Sequence, residues 1–283
     1  MNLNGYTSVF AVWGCPVKHS ASPAMHNAAL KQCSINGVYV PFEVQPDHIA
    51  AAVTGVRALG IRGVNVTVPH KEAVVPFLDA LTPEAERLGA VNTLYWEGDR
   101  LCGDTTDGRG YIAALQSEGL VPKAAATVVV LGAGGSARSV VYALSGIGCH
   151  VVVANRTLAK AERLRSLGAS AIGAYDSTIV LNALADAALV VNTTTLGMSP
   201  NVGLMPKIDV ATLQPNCVVS DLIYRPERTE LLLKAEARGL RVQNGLEMLV
   251  QQGAISFERW LGVSAPVHVM RQAVQESIQG GVK

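Results

Sequence analysis

The chain has 283 residues, about half of them apolar and 16% charged, with a formal net charge of +1. That length suits two ordinary domains or one large one, with enough apolar side chains to bury sizeable cores. The near-neutral balance gives no reason to expect nucleic acid or an anionic membrane as partner, while a small acidic ligand needs only local positive groups. Short β-rich runs then alternate with helical patterns along the whole chain, which predicts α/β architecture with mostly parallel sheets. Strands are predicted at residues 8–13, 38–42 and 63–68, with helices at 23–32 and 46–59 between them.

Residues 64–71, Val-Asn-Val-Thr-Val-Pro-His-Lys, read as a strand running into a helix start, with Pro69 suited to the first turn. Lys71 would then sit where the helix dipole disfavours its ammonium, while a nearby carboxylate would act the other way. Such a balance suits a general acid or base. Residues 103–110 are dense in glycine and small polar side chains and read as a crossing between domains. Beyond it, strands are predicted at 128–131, 150–154, 189–192, 217–221 and 240–243, with a helix at 136–144. In the last long helix, Leu246, Leu249, Val250, Gly253, Ala254, Phe257 and Leu261 repeat at the spacing of one buried face, and Gly262 ends it.

The five cysteines (Cys15, Cys33, Cys102, Cys149, Cys217) are scattered and form no C-x-x-C, and the six histidines show no H-x-x-x-H or H-E-x-x-H spacing. Neither a disulfide framework nor a metal site is expected. The first twelve residues lack a basic leader, and the longest apolar region, 124–137, is glycine-rich and too short to span a bilayer. These features lead us to expect a soluble cytoplasmic protein.

The most informative motif is Gly132-Ala133-Gly134-Gly135-Ser136-Ala137, which follows the strand at 128–131 and opens a helix. This is G-x-G-x-x-A in strand–turn–helix context. Gly132 permits the tight turn, Gly134 lets the backbone approach a pyrophosphate, and Ala137 allows close helix–sheet packing. The helix start offers unpaired N–H groups and a positive dipole end to the phosphates. The next strand ends in Asn155-Arg156-Thr157, where an NAD site would usually carry an acid for the ribose hydroxyl. Arg156 can pair a 2′-phosphate and stack on adenine, with Thr157 and Lys160 adding donors and charge, so the expected cofactor is NADP.

Read together, the motifs resemble the shikimate dehydrogenase family. The matching pieces are Gly14-Cys15-Pro16-Val17-Lys18-His19-Ser20-Ala21-Ser22-Pro23 with His26-Asn27, residues 65–71, Gly89-Ala90-Val91-Asn92-Thr93, and Thr106-Asp107-Gly108. They continue through Gly132–Ala137, Asn155-Arg156-Thr157, residues 192–198, Asp221-Leu222-Ile223-Tyr224 and Asn244-Gly245, then residues 248–254. The resemblance runs in the family's order from residue 14 to about residue 262.

It implies a Rossmann-type NADP-binding domain, placed at residues 107–245, and a discontinuous α/β substrate-binding domain at 1–106 and 246–283, with the active site in the cleft between them. The implied reaction is NADPH-dependent, reversible reduction of 3-dehydroshikimate to shikimate in chorismate and aromatic amino-acid biosynthesis. Lys71 and Asp107 are implied as the catalytic pair. Ser20, Ser22, Thr67, Lys71, Asn92, Asp107, Tyr224 and Gln252 are implied around the substrate. The alternative for Ser20 and Ser22 is simply to cap the helix at Pro23. Thr193, Thr194, Leu222 and Gly245 are implied near the nicotinamide and its ribose.

The chain departs from the family at Thr105, where Asn is usual; a shorter β-branched side chain there either slackens the loop carrying Asp107 or marks a variant with different substrate handling. Alternatives are a quinate/shikimate dehydrogenase using NAD or both cofactors, and a non-catalytic NADP-binding sensor. The sequence leaves the choice of monomer or homodimer open.

Overall fold

The structure, a computed structural model, describes residues 3–280; the extreme ends of the expected domain ranges, 1–2 and 281–283, lie outside the described residues. The chain divides into two compact units, one made of the residues up to Gly110 and those from Leu249 on, the other of Tyr111–Met248.

The first unit opens with β1 (Ser8–Gly14), α1 (Ser22–Gln32), β2 (Gly37–Glu43), α2 (Ile49–Ala58) and β3 (Gly63–Val66), followed by β4 (Ala80–Leu81), α3 (Pro83–Leu88), β5 (Thr93–Glu97) and β6 (Arg100–Asp104). Its sheet has the order β2-β1-β3-β5-β6-β4. The β3–β5 and β5–β6 pairs are antiparallel and the other three parallel. Strands β4, β5 and β6 are additions to the sequence reading; β5 and β6 form a hairpin whose Glu97↔Arg100 register leaves Gly98-Asp99 as its tip, with Gly98 at φ 59°. Ala11, Trp13, Val64, Val66, Leu94 and Leu101 bury one face of this sheet.

The chain passes from the first unit to the second at Gly110–Tyr111, the end of the 103–110 stretch expected as a crossing, and does so within regular structure. Gly103 and Asp104 complete β6, and Asp107 begins α4 (Asp107–Ser117). The glycines here serve close packing: a side chain on Gly103 would run into Leu78, Val91 and Leu81, and one on Gly110 into the Gln252 backbone.

The second unit continues with β7 (Thr127–Leu131), α5 (Gly135–Gly146), β8 (His150–Ala154), α6 (Leu158–Glu162), β9 (Ala169–Gly173), α7 (Thr178–Asp186), β10 (Leu189–Asn192), β11 (Val218–Asp221), α8 (Glu230–Ala237) and β12 (Arg241–Gln243). All pairs are parallel, in the order β12-β11-β10-β7-β8-β9. Numbered within the unit this is the doubly wound arrangement, with strand order reversing between β7 and β10; ligands of such sheets bind beyond the carboxyl ends at that reversal. Residues 128–131 of β7 are wholly buried, as expected of a strand covered on both faces.

The chain closes with α9 (Leu246–Leu261) and α10 (Val267–Gly280), the latter packing on α1. The helix at 246–261 is therefore not the last long one, contrary to the expectation from the sequence. Among the described residues no helix is long and apolar enough to cross a membrane.

Candidate active site

In the first unit, β1 and β3 run parallel with Trp13 paired to Val66, so the loops after them emerge side by side. The Thr67 N–H donates to the Trp13 carbonyl (2.8 Å) and the Cys15 N–H to that of Val68 (3.1 Å). Gly14 is required by this closeness: a Cβ there would lie 2.6 Å from Thr67 Cγ2. One loop carries Ser20 and leads into α1 at the buried Ser22, the other carries Thr67 and Lys71.

Neither serine caps α1. The cap position is Ala21, without a side-chain cap bond, and Ser20 Oγ instead accepts from the Ser22 N–H (3.2 Å). The expected helix at Pro69 is also absent. Residues 68–74 run through turns, followed only by a short 3-10 stretch, Val75–Phe77. The Lys71 carbonyl, which would feed a helix, accepts instead from the Val91 N–H (2.8 Å), and His70 Nε2 is bound to the Val44 carbonyl (2.7 Å). With no helix, no helix dipole acts on Lys71.

What meets the Lys71 ammonium is Asp107. Nζ donates to Oδ2 at 2.5 Å, and the two side chains are only 15% and 7% exposed. Asn92 Nδ2 donates to the other carboxylate oxygen, Oδ1 (2.7 Å), and also reaches Thr106 Oγ1 (2.9 Å) and Gln252 Oε1 (3.3 Å). Asn92 Oδ1 accepts from the Thr106 N–H (2.8 Å) and from Thr93 Oγ1 (3.0 Å). Gln252, on α9, donates through Nε2 to the Leu249 carbonyl (2.8 Å), which turns its oxygen toward Asn92. Lys71, Asn92, Asp107 and Gln252 thus form one cluster. It contains a lysine, a carboxylate holding it, the Asn92 amide fixing that carboxylate and the Gln252 amide bonded to Asn92.

The cluster rests on a polar floor not singled out in the sequence. Asn65, buried in β3, accepts from the Tyr39 hydroxyl (2.8 Å) and donates toward Ser256 Oγ (3.0 Å) and Thr93 Oγ1 (3.3 Å). Ser256 donates to the Gln252 carbonyl (3.0 Å) and shares a bond with Thr93 (2.8 Å). An asparagine inside an apolar strand and a serine beside Phe257 on a buried helix face were the available signals.

The other expected residues lie in the second unit. Gly132 leaves β7 at φ 110°, a conformation that favours glycine, and a Cβ on it would lie 2.7 Å from Thr193 Oγ1. Leu131 and Asn192 are paired, so Gly132 and Thr193 leave adjacent strand ends at the sheet's reversal point; Thr193 donates through both N–H and Oγ1 to the Leu131 carbonyl (2.9 and 2.8 Å). Gly134 is the N-cap of α5, without a side-chain cap bond, and a Cβ built on Gly134 or Gly135 meets nothing within 4 Å. Open space over an uncapped helix start, with Ala133 and Ser136 beside it and Ala137 buried beneath, fits a dinucleotide phosphate.

After β8, Asn155 Nδ2 donates to the Thr157 carbonyl (2.8 Å), while Arg156, Thr157 and Lys160 are exposed. Thr157 is the N-cap of α6 but makes no side-chain cap bond. The loops after β10 and β11 are tied from below: Asp221 accepts from Asn192 Nδ2 (3.0 Å) and Thr229 Oγ1 (2.8 Å), and Asn192 Oδ1 accepts from Thr194 Oγ1 (2.7 Å). Burial raises the Asp221 carboxyl, with those hydrogen bonds acting the other way. Gly245 donates its N–H to the Ile223 carbonyl (3.0 Å) and packs so closely that a side chain would strike the Leu222 carbonyl. Tyr224 follows Ile223 in the same loop.

The family model described as the shikimate dehydrogenase substrate binding domain matches residues 12–94. Models described as shikimate / quinate 5-dehydrogenase and as the shikimate 5'-dehydrogenase C-terminal domain match residues 116–202 and 245–275. A relative from Desulforamulus reducens, named shikimate dehydrogenase (NADP(+)), is 43% identical over 99% of this chain and 98% of its own length. A solved shikimate dehydrogenase in complex with NADP+ superposes with TM-score 0.91 at 37% identity, covering 98% of each chain. The enzyme of Thermus thermophilus, solved with NADP(H) and shikimate, gives TM-score 0.87 at 38% identity over 96% of this chain and 100% of its own.

Proposed function

This chain belongs to the shikimate dehydrogenase family, and on that premise we propose that it interconverts shikimate and 3-dehydroshikimate with NADP, Lys71 moving the proton. The observation that carries the assignment is the Lys71–Asp107 contact, with the second carboxylate oxygen fixed by Asn92. When bound, NADP supplies the hydride chemistry. Oxidation of a secondary alcohol also requires removal of the hydroxyl proton, which Lys71 Nζ takes as the free amine to become the ammonium; in reduction the ammonium gives it to the developing alkoxide. Asp107 holds Nζ in place and balances its charge.

Asn92 and Gln252 present amide donors and acceptors beside the pair, and Ser20 and Thr67 on the neighbouring loops and Ser22 at the start of α1 are assigned hydroxyl contacts, as a carboxylated polyol requires. Tyr224 is assigned to the substrate as well. Gly132–Ala137 are assigned to the pyrophosphate, Asn155, Arg156, Thr157 and Lys160 to the adenosine phosphate, and Thr193, Thr194, Leu222 and Gly245 to the nicotinamide end. The exposed Arg156, and the lack of an acid at that strand end, support NADP over NAD.

Initial rates with shikimate or quinate, each with NADP or NAD, test the reading; preference for quinate with NAD overturns it. Lys71→Ala lowers kcat by roughly 100-fold or more, the scale of one general acid–base group, with a smaller change in KM. An unchanged kcat removes Lys71 from the mechanism.

A further inference from the structure

We propose that Arg109 is a positioning residue for this reaction, acting with Asp104 to set the loop that carries Asp107. The inference rests on the assignment of Lys71 and Asp107 given above. Asp104 ends β6 with its side chain 1% exposed. Its carboxylate accepts from Arg109 Nη2 (2.7 Å), Arg259 Nη2 (3.1 Å), Thr82 Oγ1 (2.9 Å) and the Thr105 N–H (2.8 Å). Arg109 in turn donates to the Thr105 carbonyl (2.8 Å) and pairs with Glu84 (3.1 Å).

Residue 105 is therefore gripped at both backbone ends, its N–H by Asp104 and its C=O by Arg109. Neither hold passes through its side chain. Thr106 and Asp107 follow at once and are held by Asn92 and Lys71. The Asp104–Arg109 pair thus fixes the near end of the two-residue loop 105–106, beyond which stands the carboxylate that holds Lys71. It also answers the sequence departure at Thr105: the hold on the loop here belongs to the ion pair, whatever side chain occupies position 105.

The placement of Arg109 supports a dedicated role. It stands in the first turn of α4, where the helix dipole disfavours a cation, and the two carboxylates beside it offset that cost. Burial acts to raise the Asp104 carboxyl, but the Arg109 charge and the hydrogen bonds outweigh it and hold the group below the ordinary carboxylate range. The buried acid is thus anionic at neutral pH and keeps its grip on the guanidinium.

The test compares Arg109→Met, Arg109→Lys and Thr105→Val by steady-state kinetics with saturating NADP, normalised to the fraction with native tryptophan emission. A displacement of Asp107 by a fraction of an ångström predicts a fall in kcat of at least about 10-fold in Arg109→Met, exceeding any change in the KM for shikimate. Arg109→Lys, which keeps the charge but reaches one partner rather than three, recovers most of the loss, and Thr105→Val stays within about twofold of wild type. The binding constant for NADPH, a property of the other unit, stays the same in all three.

A normalised kcat for Arg109→Met within about twofold of wild type overturns the proposal, as does Arg109→Lys behaving no better than Arg109→Met. Wild-type protein that does not oxidise shikimate, or Lys71→Ala with full kcat, instead overturns the reading beneath it.

Discussion

His26 makes the first unit sensitive to acid in a way that can be calculated. It lies on α1, 1% exposed, its ring stacked on Tyr39 with centroids 4.3 Å apart and flanked by Trp260 at 5.3 Å. Among the described residues, neither ring nitrogen has a hydrogen-bond partner of ordinary geometry. Burial lowers its pKa from 6.5 to about 3, with the Asn65 side chain acting the other way. Because the native value is the lower one, the unfolded chain binds the proton first. Stability is therefore unaffected well above pH 6.5, falls as the pH drops from 6.5 toward 3, and levels off below.

Between pH 7 and pH 5 this linkage removes about 2 kcal/mol, taking ~1.4 kcal/mol per pKa unit. His26→Phe fills a similar space and removes the titration. Urea unfolding followed by tryptophan emission is the assay, since Trp13, Trp96 and Trp260 all belong to the first unit. With a urea dependence of ~2 kcal/mol/M, the wild-type midpoint drops about 1 M more than that of His26→Phe over this pH interval. The other titrating groups are common to both proteins and cancel in the difference. Midpoints that fall in parallel would show that His26 carries no such shift.

Two further outcomes concern the second unit. Arg156→Gln raises the KM for NADP by roughly 10–100-fold, the worth of a charge-assisted phosphate contact, and leaves NAD kinetics nearly unmoved; equal effects on both cofactors would remove Arg156 from the 2′-phosphate. Gly245→Ala forces a methyl group against the Leu222 carbonyl, a backbone atom that cannot swing aside, and costs about 1–3 kcal/mol of stability together with NADPH affinity; a fluorescence titration with NADPH that matches wild type would show that the loop yields without consequence.

The second unit was legible because its information is local. A buried strand, a glycine turn and a helix follow one another within residues 127–146, and the turn's role can be stated from those residues alone. The first unit resisted because its decisive contacts are distant in the chain. Strand β5 owes its place to pairing with β3, and Gly103 and Gly110 look like linker glycines until the groups they accommodate are known. The helix expected at Pro69 failed for the same reason. Local preference favoured it, but the Val91 N–H claims the carbonyl that a helix would have used.

Asn65 gives the clearest case of a signal present in the sequence but unreadable there. It stands in a strand whose four positions are all buried, where an amide without partners costs about 1–3 kcal/mol. Its presence therefore demands donors and acceptors from elsewhere, and nothing in the chain order says where. The fold supplies Tyr39 from β2, Thr93 from β5 and Ser256 from α9. Thr93 then bonds Asn92, and Asn92 bonds Asp107. The polar atoms that would otherwise destabilise this core are thus satisfied by the same chain of bonds that fixes the carboxylate beside Lys71. Partial loss of such a network costs more than the bond removed, since each freed group stays buried. The requirement that keeps the floor folded therefore also keeps Asp107 in place, and at Asn65, Thr93 and Asn92 stability and positioning are coupled.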